Sequence, residues 1–288
     1  MKTAADKTFF AARAKGLSAK RHERDLRRIH ISMTVWQAII LGLVQGLTEF
    51  LPVSSSGHLL LFGRFLGVGN VGLGFELVCH LGTLAAICLC MRREIAPLIR
   101  HPFSRPVRLI AVASVPTAVI AGILSVFFRD ALEGSFLIYG FLATGILLLC
   151  CGFASDKART APMLYRHAAI VGAAQGIAAL PGLSRSGTTI AAATFLGYDR
   201  ERAARFSFLL SVPVIVGSSV IELVCNGVGG GIGAAALVAA CAASFISGLV
   251  AVPFMLRLLR KRGMEGFAVY LFLLSVFLLV NDFALHLF

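Results

Sequence analysis

The sequence is poor in charge. Of its 288 residues only 14% are Asp, Glu, Lys or Arg, and just 14 are acidic, whereas 58% are hydrophobic and the mean hydropathy is +0.86. So little charge excludes an ordinary soluble domain and fits a polytopic membrane protein. A cysteine framework is missing too. The seven cysteines, Cys79, Cys88, Cys90, Cys150, Cys151, Cys225 and Cys241, fall inside or at the ends of apolar segments, none at zinc-ligand spacing with a histidine. That excludes a disulfide scaffold and a zinc site and leaves small packing residues. The first 32 residues lack the apolar core of a signal peptide. A GVGNVG string at 67–72 matches the dinucleotide fingerprint by letters, but it lies in a short connection with no strand before it, so it is set aside.

Long apolar runs are what the sequence has. Six, roughly 71–91, 107–128, 135–155, 206–225, 231–256 and 267–288, reach the length of about 20 residues that a bilayer span needs. Two more, roughly 36–66 and 168–198, are broken by Pro, Ser and Gly. Each reads as a helix, a polar turn and a second helix, with arms too short to cross. Irregular backbone at that depth must be buried in protein or line a wet cavity, so each is expected to be a re-entrant hairpin.

The two breaks are copies of one another. Residues 45–58 read QGLTEFLPVSSSGH and residues 175–188 read QGIAALPGLSRSGT, each with Gln-Gly, a mid-segment Pro and a closing Ser-Gly. Each half is one hairpin plus three spans, an odd number of crossings, so the second half sits inverted on the first. Paired broken segments of this kind point to a binding site between the halves. The expected fold is therefore all-α, a polytopic integral membrane protein with six spanning helices and two re-entrant helical hairpins in an inverted-topology repeat. Residues 33–288 form one membrane domain, with repeat one at about 36–155 and repeat two at about 168–288.

Loop charge sets the orientation. Fifteen Lys and Arg residues between Arg92 and Arg262 fall in connections on one side, and only Arg129 in those on the other. The arginine-rich side is then cytoplasmic, and hairpin one opens to the outer face. Residues 1–32 disagree, since their nine basic and three acidic residues would lie outside. Met33 directly precedes the first apolar arm, and the expectation is that translation starts there, with residues 1–32 untranslated or disordered. Without those residues the net charge falls from +13 to +7, an excess that belongs to the cytoplasmic loops and not to nucleic-acid binding.

Ionisable groups in apolar segments are costly and are functional candidates. Hairpin one holds Glu49 and His58, hairpin two holds Arg185, and the spans hold Glu76, His80 and Glu222. Pro52 stops the first arm. Ser54, Ser55, Ser56 and Gly57 follow it, and Ser184, Arg185, Ser186, Gly187 and Thr189 hold the matching place in hairpin two. Serines there serve as helix N-caps, or they join the free N–H groups of a helix start in binding a phosphate. Arg185 either pairs with Glu49 alone or grips a phosphate with its planar fork. His58 can act as proton donor or nucleophile. Glu76 is placed at the outer mouth of the site, His80 is read as a contact of Glu76 one turn away, and Glu222 as an interfacial residue. The acid and the histidine on one hairpin, with the arginine on the other, point to one composite site.

QGLTEFLPVSSSGH followed by PGLSRSGTT resembles the undecaprenyl-diphosphate phosphatase family of bacteria, the bacitracin-resistance type, from about residue 33 to the C-terminus. The resemblance implies a multi-pass enzyme of the bacterial inner membrane whose site faces the periplasm. It would hydrolyse undecaprenyl diphosphate to undecaprenyl phosphate and inorganic phosphate, recycling the carrier for peptidoglycan synthesis and giving bacitracin resistance. By motif it carries over Glu49, Ser54, Ser55, His58, Ser184, Arg185 and Thr189. The family's first acidic position is Gln45 here, which cannot act as acid or base. Members are reported to depend on a divalent cation, Mg or Ca, that Glu49 would help hold, although one carboxylate makes a poor site. The expected partners are the polyprenyl diphosphate lipid and membrane lipids. A homodimer is compatible with the sequence, which carries no signal for oligomeric state.

The mechanism expected has Arg185 and the helix-end amides holding the phosphate, with Ser54, Ser56, Ser184, Ser186 and Thr189 as further donors. Ser55 or His58 attacks the terminal phosphorus, or His58 activates the attacking group. Glu49 orients the histidine, holds a cation, or both. Gln45 and Glu76 support. The rival class is a lipid transporter, since inverted repeats with meeting hairpins are transporter architecture. A scaffold leaves Glu49, His58 and Arg185 without a reason for their cost.

Overall fold

Thr34 starts the first helix with a reciprocal cap. Its Oγ1 accepts from the Gln37 N–H, and the Gln37 side chain accepts from the Thr34 N–H at 2.8 Å. Helix α1 then runs Val35–Thr48 and stops ahead of Pro52, and α2 restarts at Ser55–Phe65. The second break has the same form, with α7 at Tyr165–Ile177 and α8 at Arg185–Phe195 on either side of Pro181. Between and after the hairpins lie α3 (Leu73–Cys90), α4 (Arg92–Arg100), α5 (Arg105–Phe127), α6 (Leu137–Gly152), α9 (Arg200–Asn226), α10 (Ala234–Lys261) and α11 (Glu265–Val280). This computed structural model describes residues 33–69, 71–127, 136–153, 162–226, 232–261 and 263–282, and all its regular structure there is helical. Residues 1–32, Arg129, Lys157, Arg159 and Arg262 lie outside the described residues.

Four of these helices are long and apolar enough to cross a membrane, Leu73–Cys90, Arg105–Phe127, Arg200–Val224 and Ala234–Arg260, so the chain is a multi-pass membrane protein. Where spans 135–155 and 267–288 were expected, α6 and α11 each have 16 residues. At a rise of 1.5 Å per residue that is about 24 Å, short of a hydrocarbon core of about 30 Å. Helix α4 was not expected. Three arginines read as loop residues, Arg92, Arg93 and Arg100, belong to it.

The halves interlock reciprocally. Helix α1 of the first half packs on α10 of the second, and α7 of the second packs on α5 of the first; α6 packs on α8 and on α11. Small residues allow the close approach. Gly42 and Gly46 precede and follow hairpin one's Gln45 at GxxxG spacing, and Gly172 and Gly176 do the same around Gln175. A Cβ on Gly42 would stand 2.9 Å from the Ala240 Cα, and one on Gly172 only 2.6 Å from the Ala113 carbonyl carbon. Thus the glycine of each repeated Gln-Gly is half of a helix-packing motif. Gly172→Leu should cost several kcal/mol by overpacking and abolish recovery of monodisperse protein in detergent. Gly122→Leu, at a place where a Cβ meets nothing within 4 Å, should not. Size-exclusion profiles of the two variants check this, and two parent-like profiles would refute it.

The arginine-rich ends gather at one end of the bundle. Arg205 of α9 pairs with Glu94 of α4 and, at 2.9 Å, with Glu201, while Arg260 of α10 reaches Glu201 at 2.7 Å. Arg200 donates to the Gly152 carbonyl at the end of α6, and Arg105 to that of Met163 ahead of α7. Connections that the charge pattern assigned to one side are therefore bonded to one another.

Candidate active site

Glu49 follows the last residue of α1, where its N–H still bonds the Gln45 carbonyl and its side chain is 4% exposed. Its carboxylate collects four neighbours. Oε2 accepts from Ser55 Oγ at 2.6 Å and from Gln45 Nε2 at 2.9 Å, and His80 Nε2 stands 3.5 Å away. Oε1 pairs with Arg185 Nη2 at 3.1 Å. Arg185 is the first residue of α8, so this contact joins the two hairpins. A second link runs from Ser186 Oγ to the Leu51 carbonyl at 3.0 Å.

Glu49, Ser55, His80 and Arg185 line a cavity of about 240 Å³, together with Ser54, Ser56, Glu76, Gln175 and Ser184. Its lining from α3 is Glu76 and His80, in that helix's first half, and from α9 Val214 and Ser218, in its second half, so it lies on the side of the bundle away from the arginines at the start of α9. The starts of α2 and α8 both face it. Ser54 caps α2 through the Gly57 N–H at 3.4 Å, and Ser184 caps α8 through the Gly187 N–H at 3.1 Å. The amides between each cap and its glycine, those of Ser55 and Ser56 and of Arg185 and Ser186, are first-turn groups with no partner within their helix, and two helix starts bring two positive dipole ends to one cavity. Both readings of Arg185 hold geometrically. It is paired with Glu49, yet Nη2 makes its contacts while a guanidinium carries five donors.

Of the serines at the two turns that line the cavity, Ser55 and Ser56 are half-buried, whereas Ser54 and Ser184 are buried. Ser54 and Ser184 are caps, and Ser186 is bonded across the hairpins. Thr189 is fully buried, bonds the Arg185 carbonyl and Ser207 Oγ, and does not line the cavity. Gln45 supports Glu49 from beneath, and its Oε1, like that of its repeat mate Gln175, has no hydrogen-bond partner among the described residues.

The two histidines exchange the places expected of them. His58 does not line this cavity. Its ring is turned behind the serine turn, with Nδ1 2.8 Å from the Ser54 carbonyl and Nε2 2.7 Å from the Tyr270 hydroxyl, facing a separate apolar groove of about 770 Å³. His80 takes the position beside Glu49 and Arg185 instead. Its contact with Glu76 is to the backbone carbonyl, at 2.8 Å from Nδ1. A carbonyl only accepts, so Nδ1 carries a proton and Nε2 is left to accept one or to donate a second. The sequence held a signal for this, since an imidazole inside an apolar span is costly. Glu76 one turn earlier offered a simpler partner and hid it.

The donor set does not fit a resident divalent cation. Such ions take six or more oxygen ligands. Of the two carboxylates that line the cavity, that of Glu49 is already engaged by Ser55, Gln45 and a guanidinium, and no group of three His, Cys, Asp or Glu side chains able to hold a metal occurs among the described residues.

Known proteins carry the same pattern. Residues 38–277 match the family model described as bacitracin resistance protein BacA. The chain is 42% identical over 254 residues to an undecaprenyl-diphosphatase of Carboxydothermus hydrogenoformans, covering 86% of this chain and 97% of that protein. It is 36% identical over 255 residues to undecaprenyl-diphosphatase 4 of Bacillus thuringiensis subsp. konkukian, with the same coverage. Against undecaprenyl-diphosphatase 1 of Shouchella clausii it is 36% identical over 272 residues, covering 88% of this chain and 98% of the relative. With the motif residues of both hairpins drawn around one carboxylate, and the match running through both repeats, the chain belongs to the BacA bacitracin resistance protein family.

Proposed function

We infer that this protein hydrolyses undecaprenyl diphosphate, releasing inorganic phosphate and returning undecaprenyl phosphate to the carrier pool for the cell wall. The observation that carries the chemistry is the 2.6 Å contact of Ser55 Oγ with a carboxylate that also holds Arg185. Binding an anion needs the arginine and the helix starts. It does not need a hydroxyl bonded to a buried base, which is the arrangement of an activated nucleophile.

The steps follow from these contacts. The diphosphate enters with its terminal phosphate between the starts of α2 and α8, where Arg185 and free amides take the equatorial charge. Ser55 Oγ attacks the terminal phosphorus and its proton passes to Glu49. The bond to the bridging oxygen breaks, and undecaprenyl phosphate leaves with that electron pair and the proton from Glu49. Water then attacks the phosphoserine and gives a proton to His80 Nε2. That proton returns through Glu49 to Ser55 Oγ as inorganic phosphate departs. A divalent cation, where needed, comes with the diphosphate oxygens and not from a protein cage. Both hairpins come from one chain, so a second copy is not required to complete the site.

The topology we propose has α3, α5, α6, α9, α10 and α11 crossing the inner membrane and both hairpins re-entrant. The cavity then opens to the periplasmic face. Its support is the gathering of arginine-bearing ends opposite the cavity, read with the positive-inside rule.

Acid-quenched turnover of undecaprenyl diphosphate labelled in its terminal phosphate tests the reading. Label should appear on the peptide containing Ser55 and accumulate in His80→Gln, which slows the second step. Phosphate release with no label on Ser55 would give the attack to water. Binding of the lipid with no release would turn the assignment to transport.

A further inference from the structure

His58 Nδ1 donates to the Ser54 carbonyl at 2.8 Å, and the His58 backbone N–H bonds the same oxygen at 3.1 Å. With the proton on Nδ1, the neutral ring accepts at Nε2 from the Tyr270 hydroxyl at 2.7 Å. The imidazole is stacked on the Tyr270 ring, with centroids 5.8 Å apart and planes at 19°, and meets Phe141 edge-on at 5.5 Å. One chain of bonds therefore runs from α11 through His58 to the turn of hairpin one.

That turn is under strain. Ser54 has φ +71°, the one non-glycine residue with positive φ among the described residues. Hairpin two solves the same problem differently. There the positive φ, +86°, falls on Gly182, and Thr144 of α6 accepts from the Ser184 N–H at 3.0 Å while donating to the Gly182 carbonyl at 2.9 Å. Each turn is thus held by the last helix of the opposite half. Hairpin one, which must fix Ser55, has a side-chain-bearing residue in the strained place and a longer clamp on it. Tyr270 is 42% exposed and lines the apolar groove, where phenylalanine would pack as well, so burial does not account for the hydroxyl.

We propose that Tyr270 is a positioning residue. Through His58 it holds the Ser54 carbonyl, and so aims Ser55 Oγ at Glu49 and at the phosphorus. The proposal rests on Ser55 as the attacking group.

Tyr270→Phe keeps the ring and removes only the donor. Its kcat should fall about tenfold with KM within about twofold, because the loss is in alignment rather than in holding the lipid. By hydrogen exchange, amides of the Ser55–His58 turn should open several-fold faster, while those of 185–188 stay as in the parent. In a His58→Asn background, Tyr270→Phe should add nothing to either readout. Unchanged kcat and exchange, a rise in KM alone, or additive losses in the double variant would each overturn the proposal. A parent that released no phosphate would defeat the phosphatase reading, and the exchange experiment would still decide the role of Tyr270.

Discussion

The Glu49→Gln protein is expected to release phosphate about a thousandfold more slowly than the parent, within the range for removing a positioned base. The amide keeps the shape of the carboxylate and its carbonyl oxygen still accepts from Ser55. What it loses is the ability to take the Ser55 proton and the charge that balances Arg185. Position 45 supplies an internal contrast. There the chain already carries an amide, and its Nε2 does no more than donate to Glu49. Arg185 is about a quarter exposed, so the broken pair costs less than a fully buried one and the variant should fold. Phosphate release per folded protein, with thermal melting as the control, checks this. A rate within about tenfold of the parent's would remove Glu49 from the proton path.

Arg185→Lys is expected to lower kcat/KM by about a hundredfold or more, although the charge is kept. A lysine's three donors radiate from a single nitrogen where the guanidinium spreads five across a planar fork, so it cannot meet Glu49 Oε1 and a phosphate with the same bidentate geometry. Were Arg185 only the partner of Glu49, the lysine variant would melt lower but turn over at close to the parent rate. The split between melting temperature and kcat/KM separates the two roles.

The repeated letters make much of this site legible in the sequence. Pro52 and Pro181 ended the first arms, and serines before a restarting helix marked the starts of α2 and α8. Glu49 and Arg185 were too costly at that depth to be idle. What the letters did not carry was direction. His58 and His80 are both imidazoles in apolar surroundings, and only packing decides which ring faces the carboxylate. Tyr270 stands 212 residues from His58 along the chain, with nothing local to pair them. Helix α4 was missed because its charged residues satisfy a loop reading and a short amphipathic helix equally well.

The reciprocal packing of the halves has a consequence for synthesis. The ribosome delivers α1 near the beginning and its main packing partner, α10, near the end. The arm that carries Glu49 must therefore wait through most of translation with its glycine face uncovered. Contacts this distant in sequence close late and slowly. Hairpin two has no such delay, because α5 is already made when α7 emerges. Arg185 is thus seated first and Glu49 last, so a nascent chain stopped before α10 lacks the surface against which the arm leading to Glu49 is set.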